Sequence, residues 1–255
     1  MSILALSIPD ALIIAVVGFC AGTINTVVGS GSLITFPTLV AIGYAPVTAN
    51  VSNTIGLTFG AMSGAVGYRR ELEGQGRRVR RLAIGSLIGG IAGAILLLTL
   101  PSSVFDAVVP VLIVLACVLV VVQPRLSRFV AARRSAPVEH GGFVLWIGVF
   151  ITGVYGGYFG AAQGVILLAL LGIFISDDLQ RLNGVKNVLA VVANGVAAVV
   201  FVFAAHVAWE VAVLIALSSI LGGQVGAHVG RRLPAPWLRA VIVVIGLVAA
   251  VRLTF

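Results

Sequence analysis

Residues 18–57 read GFCAGTINTVVGSGSLITFPTLVAIGYAPVTANVSNTIGL, and four of them, Gly29-Ser30-Gly31-Ser32, decide the fold. The chain is apolar and of helix length on both sides of this tetrapeptide. Glycine frees the backbone and serine offers it local hydrogen bonds, so the spacing predicts a reversal here. The apolar limb that follows, 32–43, has twelve residues, roughly 18 Å of helix against a hydrocarbon core of about 30 Å. It reads as a half-helix that starts near the midplane of a bilayer. The second half of the chain holds a counterpart: Gly160-Ala161-Ala162-Gln163-Gly164 followed by an apolar limb over 165–175. Irregular backbone at such a depth survives only where protein packs it or a cavity solvates it.

The rest of the sequence supports a membrane setting. Of 255 residues 60% are hydrophobic and 9% charged, with a mean hydropathy of +1.18, whereas soluble domains carry about 25% charged residues. Apolar stretches occupy 11–29, 47–68, 82–100, 104–123, 143–159, 184–206, 208–229 and 236–255. They lack the alternation of barrel strands, so the expected class is all-α integral membrane. The first stretch is expected to persist as a span, since no Lys or Arg precedes it. Cys20 and Cys117 fall inside apolar stretches and read as small buried hydrophobes.

Charge sets the topology. There are fifteen arginines and one lysine, and all but Arg252 fall in 69–81, 124–141, 176–186 and 230–239. The positive-inside rule places these four segments in the cytoplasm and both termini outside, in a cytoplasmic (inner) cell membrane. The net charge of +8 is thereby explained by orientation rather than by nucleic acid. This topology returns each bend-containing segment to the side it came from, which makes each a re-entrant hairpin.

The two halves repeat. At an offset of 131, Phe19, Gly22 and Gly29 fall on Phe150, Gly153 and Gly160; at 134, Val51-Ser52-Asn53 fall on Val185-Lys186-Asn187; at 137, Gly85, Gly89 and Gly93 fall on Gly222, Gly226 and Gly230. Both glycine series follow GxxxG spacing, suited to close helix packing. The expected organisation is a first repeat over 1–123, a cytoplasmic linker over 124–141 and a second repeat over 142–255. Each repeat is a hairpin plus three crossing helices, about eight membrane segments with the half-helices. Three crossings invert the second copy, an arrangement of secondary transporters.

Residues 18–57, their partner GVYGGYFGAAQGVILLALLG (153–172) and NGVKNVLA (183–190) resemble the two signature regions of the TauE/SafE sulfite-exporter family. The resemblance covers essentially the whole chain and departs at the first bend, where G-S-G-S replaces a commoner glycine run. It implies export of sulfite, an organosulfonate or a related sulfur-containing anion, with an anion channel or a uniporter for another small anion as the alternative.

The residues themselves point to an anion. Half-helix N-termini present unpaired N–H groups and about half a positive charge each. Gly29, Ser30, Gly31 and Ser32 of one bend and Gly160, Gln163 and Gly164 of the other are the nearest candidate contacts. Lys186 would be costly in a membrane without a partner; a bound anion is one, and a place at the cytoplasmic boundary is the alternative. Asn53 and Asn187, at matching positions, are expected to converge on the ligand or to bond helix to helix. Asn25, Asn50, Asn183 and Tyr158 flank the same region as weaker candidates, and packing accounts for Tyr155.

All eight acidic residues (Asp10, Glu71, Glu73, Asp106, Glu139, Asp177, Asp178, Glu210) lie in loops or at helix ends, so no intramembrane carboxylate suggests cation coupling. His140, His206 and His228 are far apart, without HExxH or GxSxG. No enzyme, cofactor or metal is expected. The expected partners are a small anion and the lipid bilayer, not nucleic acid. The Gly-rich faces suit either a homodimer or the packing of one repeat on the other.

Overall fold

The computed structural model describes residues 6–132, 142–229, 240, 243–248, 250 and 251. The order is α1 (Ile8–Val27), α2 (Ser32–Ile42), α3 (Pro46–Gly67), a 3-10 turn (Arg69–Leu72), α4 (Gly76–Thr99), α5 (Ser102–Ala132), α6 (Gly142–Tyr158), α7 (Gln163–Phe174), α8 (Leu179–Ala204) and α9 (Trp209–Val229). The described part of 240–251 is also helical, and no strand occurs among the described residues. Five helices, α1, α4, α5, α8 and α9, are long and apolar enough to cross a membrane. Local chemistry marks the boundaries: Ser7 caps α1 by accepting the Asp10 N–H at 3.2 Å, and Asp178 caps α8 by accepting the Gln180 N–H at 2.8 Å. Pro46 opens α3 at a position that needs no N–H.

The breaks fall at 28–31 and 159–162, inside the segments expected to bend. Gly29 and Gly160 have φ of +87° and +76°, backbone that glycine alone adopts without strain. The hydrogen bonds around them match at the offset of 131. Gly29 N–H donates to Ile24 O at 3.1 Å, and Gly160 N–H to Tyr155 O at 3.0 Å; Ile34 N–H donates to Gly31 O at 3.1 Å, and Val165 N–H to Ala162 O at 3.0 Å.

Equivalent helices run in opposite directions. Thr58 of α3 lies beside Gly195 of α8, and Tyr68 accepts from the Asn183 amide at 2.9 Å, so α3 and α8 are antiparallel. The halves also interlock. A Cβ on Gly22 would meet Ser219 of α9, and one on Gly222 would meet the Phe19 carbonyl of α1. Correspondingly, Gly89 and Gly93 of α4 lie against Phe150, Val154 and Tyr158 of α6. The first helix of each repeat therefore packs along the fourth helix of the other. The GxxxG faces pack internally in this contact; Gly230 lies outside the described residues.

Two expectations change. The α5 helix continues to Ala132, nine residues into the segment read as linker, because nothing over 124–132 forces a break except Pro124, which α5 accommodates. The first limb of each hairpin also overshoots the middle. Thr26 of α1 lies against Gly64 and Gly226, three residues short of the ends of α3 and α9, while Tyr158 O at the end of α6 accepts from Asn50, near the start of α3. The two hairpins thus pass each other, and only the half-helix starts sit at mid-level.

The basic segments 69–81 and 176–186 meet at one end. There Asp177, in the α7–α8 connection, pairs with Arg78 at 2.7 Å and Arg181 at 2.9 Å. Arg78 also bonds the Gln75 side chain, and the Gln75 amide donates to Glu71 O at 2.8 Å. Burial alone would raise the Asp177 pKa. Hydrogen bonds from Arg78 and the Asp178 N–H and the two guanidinium charges outweigh it and hold the carboxyl below its ordinary range.

Candidate functional site

The bends meet. Gly164 N–H donates to Gly29 O at 3.1 Å, and a Cβ on either glycine would collide with the backbone of the other. Beside this contact is a cavity of about 10 Å³, about the room of one water. It is lined by Asn25 of α1, Ser32 of α2, Thr54 and Leu57 of α3, Phe159 and Gly160 of the second bend, Gln163 and Gly164 of α7, and Ala190 and Asn194 of α8. Thr54 and Leu57 lie near the middle of α3, and Ala190 and Asn194 near the middle of α8, which puts the cavity at half-height.

Ser32 and Gln163 are the first residues of the half-helices and correspond at the offset of 131. Inversion therefore delivers two helix N-termini to one cavity. Gln163 is 1% exposed, and neither its Nε2 nor its Oε1 has a hydrogen-bond partner among the described residues. Gly156 makes room for that amide, since a Cβ there would occupy the same space. An unpaired buried amide costs about 1–3 kcal/mol, which sets this side chain apart from the others lining the cavity. The Ser30 hydroxyl is likewise buried and unpaired. On one side Phe159 is backed by Phe36 of α2, edge to face with centroids 5.3 Å apart, and by Phe105 of α5 at 6.1 Å.

Of the residues singled out from sequence, Asn25, Ser32, Gly160, Gln163 and Gly164 line the cavity, and Gly29 closes against it. Ser30, Gly31, Asn50, Asn53, Tyr158, Lys186 and Asn187 are not among the lining residues. The expected convergence of Asn53 and Asn187 is replaced by service to the hairpins. Asn53 Oδ1 accepts from the Thr35 hydroxyl of α2, and Asn187 Nδ2 donates to Thr26 O at 3.4 Å. Asn50 Nδ2 donates to Tyr158 O at 3.0 Å. Lys186, fully buried, donates from Nζ to Thr26 O at 3.0 Å and Asn25 O at 3.5 Å. For Asn50, Lys186 and Asn187 the reason is common: a hairpin that stops inside protein leaves terminal carbonyls unbonded, and donors on neighbouring helices satisfy them.

Thr54 and Asn194 went unremarked in the sequence. Asn187 and Asn194 are seven apart, and Asn50 and Thr54 four apart, so each pair shares a helix face. A polar stripe through apolar helices was the available signal.

Antiparallel halves, two broken hairpins and a polar cavity at half-height define a polytopic helical membrane protein built for transport. The chain belongs to the sulfite exporter TauE/SafE family, whose model matches residues 14–253. It is 26% identical over 238 residues to a Sinorhizobium protein titled "Probable membrane transporter protein ORF9", covering 93% of this chain and 90% of the relative. A Haemophilus influenzae "Probable membrane transporter protein" is 24% identical, covering 94% and 92%. An Escherichia coli K12 protein, "Probable membrane transporter protein YfcA", is 23% identical, covering 94% and 87%. No solved structure matches the chain significantly. The protein is a multi-pass membrane transporter.

Proposed function

We propose that this transporter is a secondary carrier of small anions, of the sulfur-containing oxyanion class its family description suggests, exporting them across the cytoplasmic membrane with both termini outside. The observation that carries the reading is that Ser32 and Gln163, at the two half-helix starts, border one cavity, with the Gln163 amide unpartnered. A free amide donor suits an oxyanion, as does the Gly164 N–H once it is released from Gly29 O. The carbonyls that would repel it are engaged: Asn25 and Thr26 by Lys186, Thr26 also by Asn187, and Tyr158 by Asn50. A cavity the size of one water is smaller than sulfite, so the bends separate to admit substrate, and the Gly29–Gly164 contact breaks in each cycle. An interior-negative potential drives an anion outward by about 2.3 kcal/mol per charge per 100 mV.

A thermal-shift panel of sulfite, sulfate, sulfonates and carboxylates on the purified protein tests this. A sulfur oxyanion is expected to stabilise it, and Gln163→Met to weaken that binding about tenfold, the value of one hydrogen bond to a charged group. Equal protection of wild type and Gln163→Met by every effective anion defeats the assignment.

A further inference from the structure

We infer that Thr54 of α3 and Asn194 of α8 are substrate-binding residues; the inference rests on the anion reading and adds to it the donors that the two long helices contribute. What carries it is which polar side chains lack a protein partner. Six threonines are buried among the described residues. Thr23, Thr26, Thr35, Thr58 and Thr152 each donate from the hydroxyl to the carbonyl four residues earlier in the same helix, which hides a hydroxyl inside an apolar helix. Thr54, 8% exposed in the middle of α3, makes neither that bond nor any other with its hydroxyl among the described residues. The asparagines divide in the same way. The chain has six, and the side chains of Asn50, Asn53, Asn183 and Asn187 each bond another segment. Those of Asn25 and Asn194 bond nothing among the described residues.

The three exceptions, Asn25, Thr54 and Asn194, all line the half-height cavity, beside the unpartnered Gln163 amide and the Ser32 hydroxyl, which is also unbonded among the described residues. Five side chains from five helices thus face one space without partners. The cavity holds about one water, which makes about three hydrogen bonds and at most about four, too few for all five. An oxyanion carries several lone pairs and accepts from many donors at once. Position suits Thr54 and Asn194 to that task. A Cβ on Gly160 would lie 3.5 Å from the Asn194 side chain, which puts this amide beside the second bend, and a Cβ on Gly195 would lie 3.7 Å from Thr58 Cγ2, so α3 and α8 touch within a turn of both residues. Both stand on unbroken helices. A substrate here is held between donors that stay in place on α3 and α8 and donors that move with the bends.

Affinity and ligand-free stability, measured together on the purified full-length protein, test this. Sulfite, sulfate and methanesulfonate are titrated calorimetrically, and Tm is recorded without ligand. Thr54→Val and Asn194→Leu keep the shape of each side chain and remove its donor. Each is expected to weaken binding of the anions that wild type binds about tenfold, the effect of one hydrogen bond to a charged group, while the ligand-free Tm stays at or above that of wild type, because no bond within the protein is lost. Thr54→Ser keeps the hydroxyl and is expected to keep the affinity. Thr23→Val, which removes a hydroxyl bonded at 3.0 Å to the Gly222 carbonyl, is expected to do the reverse, lowering Tm and sparing affinity. If Thr54→Val and Asn194→Leu follow the Thr23→Val pattern, or leave affinity unchanged, the inference is overturned. Gln163→Met separates the two readings: affinity lost there but kept in Thr54→Val and Asn194→Leu leaves the anion reading standing without this one. Wild type that binds none of the three anions defeats both.

Discussion

The two bends share a hydrogen-bond scheme and differ in what surrounds it. Gly29 and Gly160 adopt nearly the same φ, yet Gly29 is pressed against the backbone of Gly164, while a Cβ added to Gly160 would come no nearer than 3.1 Å to the Gly156 carbonyl and 3.5 Å to the Asn194 side chain. Past the glycine they diverge again. Gly31 caps α2 at φ −57°, whereas its counterpart Ala162 caps α7 at φ +57°. The glycine that sequence puts at the N-cap thus sits where any residue's φ would serve, and the alanine sits where glycine would be at ease. Close approach explains the first case: a Cβ on Gly31 would meet the Ala21 carbonyl and come within 3.0 Å of Asn25 Cβ. A glycine in a bend therefore signals either conformation or contact, and only neighbours distinguish them.

Substitution separates the two. The largest effect is expected for Gly29→Ala, which adds left-handed strain of about 1–2 kcal/mol to a collision costing about 1–3 kcal/mol. Loss of folded protein after detergent extraction, with a strongly lowered Tm, is the readout. Gly160→Ala is expected to incur the strain, about 1–2 kcal/mol, with only mild crowding of the Gly156 carbonyl; equal losses at both positions would remove the contact argument. Gly31→Ala is expected to destabilise by about 1–3 kcal/mol through overpacking in spite of its ordinary φ. Ala162→Gly is the smallest case, with relieved strain set against a more flexible unfolded chain, and a change within about 1 kcal/mol is expected. A large loss there would show that the Ala162 methyl, fully buried, matters more than its backbone.

The ends that leave the hairpins differ as well. The second is tied by Asp177 to Arg78 and Arg181; the first turns at 43–45. Because the folded Asp177 carboxyl titrates below its ordinary range, the stability it contributes is fully present above the unfolded pKa of about 3.9 and disappears as pH falls through the lower folded value. Asp177→Asn is expected to lower Tm at neutral pH, at a cost of about 1–2 kcal/mol, and to narrow its gap from wild type as the medium is acidified into that window. A gap that stays constant with pH would mean the charge is immaterial to holding this end.

Much of the fold was legible in sequence because its signals are local. Hydropathy and length bound the helices, the G-S-G-S and G-A-A-Q-G runs mark the breaks, and the offsets of 131, 134 and 137 expose the repeat. The site was legible only in part. Ser32 and Gln163 were recoverable because a half-helix start points inward wherever the hairpin lies. Asn53, Lys186 and Asn187 were not, since their roles depend on which carbonyls of the other segments come within reach.

Sequence alone therefore determined that this is a helical membrane protein with two opposed broken hairpins, because burial in a bilayer constrains every apolar run by its own length and composition. Tertiary structure alone decided that the hairpins pass each other, that each repeat embraces the first helix of the other, and that the single lysine stands behind the cavity wall. These depend on contacts between residues more than a hundred positions apart, such as Lys186 with Thr26 and Gly164 with Gly29, and no local pattern encodes the meeting of two distant segments.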